Sequence, residues 1–150
     1  MQVEVIPSQP EHVEPIARRM RFTDAMEVYF SGRHTPSSAL SGSRQVGESR
    51  TALMDGVPFL MFGVSSFLMS DFGRPWMLAT NDIQKVTRQF IRECAFHLDE
   101  VSQGIQRMEN HVYARNEVSI RWLQWLGFQI EDARPYGPFG QPFRRFWKNV

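Results

Sequence analysis

The chain has 150 residues, 42% of them hydrophobic and 22% charged, with a net charge of +1. Those values suit one domain, spanning residues 1–150, that buries roughly 70% of the surface its unfolded chain exposes, and they exclude both a disordered chain and a bulk charge made for polyanions. The single cysteine, Cys94, rules out an internal disulfide and fits a reducing compartment. No apolar run reaches the ~18 residues of a membrane span, and the N-terminus lacks a basic region followed by an apolar one, so the chain reads as soluble and by default cytoplasmic.

Val3 and Val5 alternate with polar neighbours in a short first strand that ends at Pro7. Ser8 and Glu11 have capping-box spacing for a helix carrying Val13, Ile16, Ala17 and Met20, with Pro15 costing a backbone bond if the helix starts that early. Asp24 with Glu27 restarts a helix that Gly32 closes, and Thr35-Pro36 marks the start of another short one. The Ser- and Gly-rich stretch from Ser37 to Ser49 is expected to be the most mobile part. Thr51 to Met54 and Val57 to Val64 flank Asp55-Gly56, a hairpin signal because both turn positions need positive φ. A loop holding Asp71, Gly73 and Pro75 leads to Trp76-Met77-Leu78-Ala79, a short apolar central strand. Asn81 with Gln84 predicts the cap of the longest helix, which carries Ile83, Val86, Phe90, Cys94, Leu98 and Val101 on one face and ends at Gly104.

The stretch from Val112 to Phe128 contains a strand end, a cap, a helix and a stop. Asn116 is a preferred N-cap, whose side-chain oxygen takes an orphan N–H. Gly127 ends the helix in the left-handed region, and Phe128 sits where a Schellman cap makes its apolar contact. The helix is apolar on more than one side, so it is buried or covered. Of Trp122 and Trp125, three apart, one is expected to stay partly exposed. A strand from Phe128, turn residues from Pro135 to Pro142 and a last strand near Phe143 to Trp147 complete the chain. The alternation predicts an α/β (α+β) fold with a mixed central sheet and helices on both faces.

This order, with Val-x-x-x-Asn-x-x-Ser-Ile-x-x-Leu-x-x-x-Gly-Phe from Val112 to Phe128, resembles the GNAT superfamily of N-acetyltransferases. Within it the chain looks most like the acetyltransferase-like internal virion (core) protein A family of short-tailed bacteriophages. Those share the Asp-Gly-type hairpin, the strand leading into a Thr-x-Asp-like helix start, and the Asn-x-x-x-Ile-Arg-x-Leu-x-x-x-Gly segment. The resemblance implies acetyl-CoA in a V-shaped opening between the strand Trp76 to Ala79 and the strand before Tyr113. Met77, Leu78 and Ala79 would pair with its pantetheine, Lys85, Thr87 and Arg88 would lie where the helix start holds its pyrophosphate, and Asn116 would reach the pantetheine from the other side. His111 and Tyr113 face the same opening and are the candidate catalytic residues, as base or substrate contact, beside the plainer reading of a satisfied strand pair.

The sequence departs from the family in two places. The family's pyrophosphate loop carries glycines, whereas Arg74 to Gln103 contains none; losing two charge-assisted contacts of roughly 1.5 to 3 kcal/mol each lowers affinity about 10² to 10⁴-fold. The family's general-acid tyrosine, seven residues after the Asn, is Leu123, which does no proton chemistry. The expectation is therefore a phage-derived protein with a degenerate acetyl-CoA site, cytoplasmic in a bacterial host or virion-associated, whose partners are phage structural proteins. The alternative is a working acetyl-CoA-dependent N-acetyltransferase on an unknown amine. Cys94 lies on the apolar stripe and reads as core. His12, His34, His97 and His111 show no metal-ligand spacing, so no metal is expected. Phe143-Arg-Arg-Phe-Trp-Lys reads as a closing strand before it reads as a nucleic-acid platform.

Overall fold

The computed structural model describes residues 1–66 and 71–150. In chain order the strands are β1 (Val3–Pro7), β2 (Ser49–Met54), β3 (Val57–Ser66), β4 (Phe72–Ala79), β5 (Arg107–Tyr113), β6 (Gln129–Tyr136) and β7 (Gln141–Asn149). The helices are α1 (Val13–Arg18), α2 (Phe22–Gly32), α3 (Pro36–Gln45), α4 (Arg88–Val101) and α5 (Glu117–Trp125). The strands form one seven-stranded sheet in the order β1-β2-β3-β4-β5-β7-β6, in which only the β4–β5 pair is parallel. The mixed sheet and flanking helices are those the alternation predicts.

Period-two alternation sends β3 and β4 side chains to opposite faces. Met61 and Leu78 pack with Val13, Ile16, Val28 and Leu40 under α1, α2 and α3. Phe62 and Ala79 pack on the other face with Phe90, Ile91, Cys94 and Trp122 under α4 and α5. A third cluster continues that second face beneath β5 and β7, through Leu98, Met108, Val112, Ile120 and Phe146.

The β2–β3 hairpin turns at Asp55 (φ 50°) and Gly56 (φ 82°), the pair of positive angles the Asp-Gly signal requires. The stop after α5 is a Schellman cap: Gly127 has φ 90°, its N–H donates to Gln124 O at 3.1 Å, and the Phe128 N–H reaches Leu123 O at 3.0 Å. Trp122 is buried and Trp125 is 46% exposed, which is the division expected of the two.

Five local expectations are corrected. First, no Ser8 cap forms; Gln9 caps a 3-10 turn at Pro10–His12, and α1 tolerates Pro15 because its third residue lies in the turn whose N–H groups have no helical partner. Second, the Ser- and Gly-rich stretch is mostly helix. Thr35 Oγ1 accepts from Ser38 N at 3.2 Å, and burial of Ala39 and Leu40 holds α3 against α1 and the sheet. Third, Asp71 to Pro75 is no loop beyond Asp71, since β4 starts at Phe72; the residues just before it, 67–70, lie outside the described residues.

Fourth, the longest helix does not start at Asn81. Thr80, fully buried, caps a 3-10 turn at Asn81–Lys85 that buried Ile83 anchors, Val86 and Thr87 are extended, and α4 opens at Arg88 with Thr87 Oγ1 accepting from Phe90 N at 3.3 Å. Fifth, Asn116 is the N-cap of α5, but its side chain makes no cap bond and turns elsewhere.

Candidate functional site

β4 and β5 pair only at Phe72↔Arg107 and Gly73↔Met108, then diverge. The sequence places a proline where the ladder stops. Pro75 O accepts from Asn110 Nδ2 at 3.0 Å, so this residue's backbone groups face β5. An extended residue directs its N–H and C=O to the same side. Proline removes the N–H that would have continued the ladder, which is why a proline is tolerated in the middle of this sheet. By the same alternation the backbone groups of Met77 and Ala79 face the opening.

At the far end of the opening the gap is spanned by polar side chains from the start of α2. Asp24 Oδ2 accepts the Ala79 N–H at 2.9 Å, and the Arg21 N–H donates to Ala79 O at 2.8 Å. Across the gap, Glu27 Oε1 accepts the Tyr113 N–H at 2.8 Å. Asn116 joins the two sides: its Nδ2 donates to Asp24 Oδ1 at 2.8 Å and to Glu27 Oε1 at 3.4 Å, and its Oδ1 accepts from Arg21 Nη1 at 3.2 Å. Arg21 Nη1 also meets Asp24 Oδ1 at 3.0 Å, in an ion pair whose side chains are 7% and 0% exposed.

Burial dominates the ionisation of this group. It pushes Asp24 up, against the pull of the Arg21 guanidinium and the Asn116 and Ala79 N–H donors. Burial, and then the neighbouring Asp24 carboxylate, push Glu27 up to about 8. The guanidinium favours charge on Asp24, so Glu27 is the carboxyl that keeps its proton at neutral pH.

Below this cluster a cavity of about 510 Å³ runs through the sheet by way of the opening. On the α2–α3 side its walls include Glu27, Ser31, Ser38, Arg74, Trp76 and His111, and on the α4–α5 side Cys94, Leu98, Ser119, Leu123, Phe128 and Phe146. Polar and apolar side chains are mixed on both sides, with Val28 and Leu78 among the α2–α3 walls and Asn110 and Ser119 among the α4–α5 ones. Two polar atoms of its lining residues are buried without a partner, the Trp76 Nε1 and the Ser119 Oγ.

Of the residues singled out from the sequence, Met77, Leu78 and His111 line this cavity, and Ala79 ends the strand beside it. The His111 ring stacks on Tyr136 at 3.8 Å, and burial, then Arg145, lower its pKa. Tyr113 is buried, tilted against Phe30 and Phe143. Thr87 and Arg88 stand at a true helix start, with the Arg88 guanidinium over the Trp125 ring at 5.4 Å. Lys85 does not; it sits in the 3-10 turn, paired with Asp82 at 3.0 Å. Asn116 is fully buried and its amide is committed to Arg21, Asp24 and Glu27. Cys94 is core, its thiol pushed up to about 12 by burial. Among the described residues no three His, Cys, Asp or Glu side chains group as metal ligands.

Sequence reasoning missed Arg21, Asp24 and Glu27 as site residues. The available signal was Asp24 four residues before Val28 on the buried stripe of an amphipathic helix, where a carboxylate needs a partner.

No family model matches the chain, and no curated protein matches it. Solved structures do. The GNAT domain of PAT from S. lividans superimposes with a TM-score of 0.74 at 12% identity, over 99% of this chain and 90% of that one. The structure of yncA from Salmonella typhimurium with its cofactor acetyl-CoA gives 0.72 at 14% identity, over 99% and 94%. A GNAT-family acetyltransferase from Streptococcus pneumoniae gives 0.68 at 12% identity, over 99% of both chains. The chain has the GNAT acetyltransferase fold, in the single-domain form with a seven-stranded mixed sheet.

Proposed function

We propose that this chain keeps the acetyltransferase fold with a degenerate acetyl-CoA site, and that it works by binding other molecules. One observation carries the proposal. The backbone groups of Ala79 and the amide of Asn116, which the resemblance assigns to pantetheine from the two sides of the opening, are taken by Arg21 and Asp24 of the chain itself. A ligand amide pairing with Ala79 must first break a buried, charge-assisted network.

The start of α4 adds to this. It carries Arg88 and Gln89 side chains and no glycine, and the preceding turn places Lys85 on Asp82 instead of on a ligand. The residues present do not fit acetyl-CoA in the arrangement the resemblance implies. Assembly within a virion, with phage structural proteins as partners, is the role that the likeness to the bacteriophage internal virion proteins supplies. An exposed aromatic pair suited to a partner surface supports it: Phe96, 71% exposed, and Trp125, 46% exposed, line one groove between α4 and α5.

Acetyl transfer to an amine is the second reading. Glu27 favours it, as a carboxyl with its pKa raised to about 8 on the wall of the cavity.

Thermal unfolding with millimolar acetyl-CoA separates the two. The degenerate site gives an unchanged midpoint. A rise of several degrees, as a ligand at about 100 times its Kd produces through roughly 2.7 kcal/mol of linkage, overturns it in favour of the enzyme.

A further inference from the structure

α4 carries a second stripe besides the one it buries. Phe90, Cys94, Leu98 and Val101 face the core. Arg88, Arg92, Ala95 and Asp99 recur at steps of four, three and four residues and line a groove between α4 and α5. Such spacing is the seam along which one helix packs on another. Ile91, Phe96 and Trp125 flank the stripe, and the two aromatic side chains stand in solvent there. Exposed aromatics beside a helical seam mark a surface that a partner covers.

The charges on this stripe are placed against the helix that carries them. Arg88 is the first residue of α4, whose first turn has no acidic residue, and Asp99 lies in the last turn, which has no basic one. The macrodipole favours the reverse order, anion first and cation last. Arg88 and Arg92 are also like charges four apart on one face, an unfavourable spacing. Among the described residues neither Arg92 nor Asp99 has an ion-pair partner, and Arg88 has only the Trp125 ring, 5.4 Å away.

A second copy of the same stripe, running antiparallel, satisfies all of these features. With Arg88 opposite Asp99 of the second copy, the register brings Ile91 opposite Phe96 and Arg92 opposite Ala95, a long side chain over a short one. A twofold axis then repeats every pair. A parallel arrangement would set Arg88 on Arg88 and Asp99 on Asp99. A wholly acidic partner would meet Asp99, and a wholly basic one Arg88 and Arg92, each with a like charge.

We propose that the α4–α5 groove is the interface of a homodimer in which the α4 helices of two copies pack antiparallel, the arginines of each against Asp99 of the other.

The dimer names the occupant of the partner surface invoked above, and so rests on the reading that the chain works by binding. α4 has 14 residues, about 21 Å of helix. The contact is therefore small and belongs with the weak, exchanging interfaces of less than about 1,200 Å².

The test is sedimentation velocity of the full chain between about 10 μM and about 1 mM, the range in which weak pairs populate. The wild type is expected to pass from monomer towards dimer across it. Arg88→Asp and Asp99→Arg are each expected to weaken self-association at least tenfold. The unfolding midpoint of each in dilute solution is expected to be undiminished, because each new charge agrees with the helix dipole. The two variants mixed in equal amounts are expected to regain the dimer, since one then supplies the acid and the other the base at both ends of the pair. A wild type that stays monomeric throughout, as a groove kept for a different protein would give, overturns the proposal. Single variants that dimerise like the wild type, or a mixture that stays monomeric, overturn it too. Failure to dimerise leaves the degenerate site untouched, whereas a midpoint raised by acetyl-CoA overturns that site and leaves the dimer standing.

Discussion

Asp24 has no solvent exposure and three hydrogen-bonding neighbours, so its worth is set by what its removal leaves behind. Asp24→Ala strands the Arg21 guanidinium, the Asn116 amide and the Ala79 N–H in an apolar surround. Breaking a buried pair on one side costs about 3 to 5 kcal/mol, and urea unfolding is expected to show a loss of that size. Glu27 acts in the opposite direction. Its folded pKa of about 8 lies above the unfolded value of 4.5, so between those limits the folded state binds more protons than the unfolded one. Stability from this group therefore falls as pH rises through that window and levels off above it. Glu27→Gln keeps an oxygen to accept from Tyr113 and Asn116 and removes the titration. The variant is expected to gain on the wild type between pH 5 and pH 8, by at least about 1 kcal/mol, in urea unfolding at the two pH values; a constant difference would contradict the assignment.

At the scale of elements, the caps make separable predictions. If α4 begins at Arg88, Thr87→Ala costs about 1 kcal/mol, whereas Asn81→Ala, at an exposed position of the 3-10 turn, stays within about 0.5 kcal/mol. The reverse order in chemical denaturation would restore the earlier helix start. Gly127→Ala isolates backbone strain, because the added Cβ approaches only the flexible end of Lys148, at 3.6 Å from Nζ. Placing an L-residue at φ 90° is expected to cost about 1 to 2 kcal/mol, seen as a drop in unfolding midpoint.

These elements also mark where the sequence speaks clearly. The Asp55-Gly56 turn, the Gly127 stop and the apolar β4 were legible because each is decided within a few residues by φ, a missing Cβ or an unbroken apolar run. The start of α4 was not. Asn81 and Gln84 have the right spacing, yet the competing cap at Thr87 wins because Thr80 and Ile83 are held in the core by tertiary contacts. The site was legible only on one side. Asn116 is visible from its helix, but its partners Arg21, Asp24 and Glu27 are 95, 92 and 89 positions away, a distance over which local spacing carries nothing.

At the scale of the whole molecule, the sheet is two sequence-contiguous halves. Residues of β1 to β4 form one, those of β5 to β7 the other, and among the described residues β4 and β5 share two paired positions, flanked by the Gln106 and Arg107 N–H groups on Asp71 O and by the Asn110 side chain on Pro75 O. The cavity and the polar cluster both lie on this seam. A fold that joins its halves so sparingly leaves the seam as its most separable plane, which is where a ligand or a covering side chain has most effect.

During synthesis on a ribosome that division imposes an order of events. The meander of β1 to β4 can pair as it emerges, since its neighbours are consecutive in the chain. Arg21, Asp24 and Glu27 emerge with it, already committed to a position their amide partner will not reach for almost another ninety residues. Until Asn116 arrives, the nascent domain carries charge where it needs to be dry. A chain halted near Gly104 lacks Asn116 together with β5 to β7, and it is expected to be cut by proteases that spare the finished one.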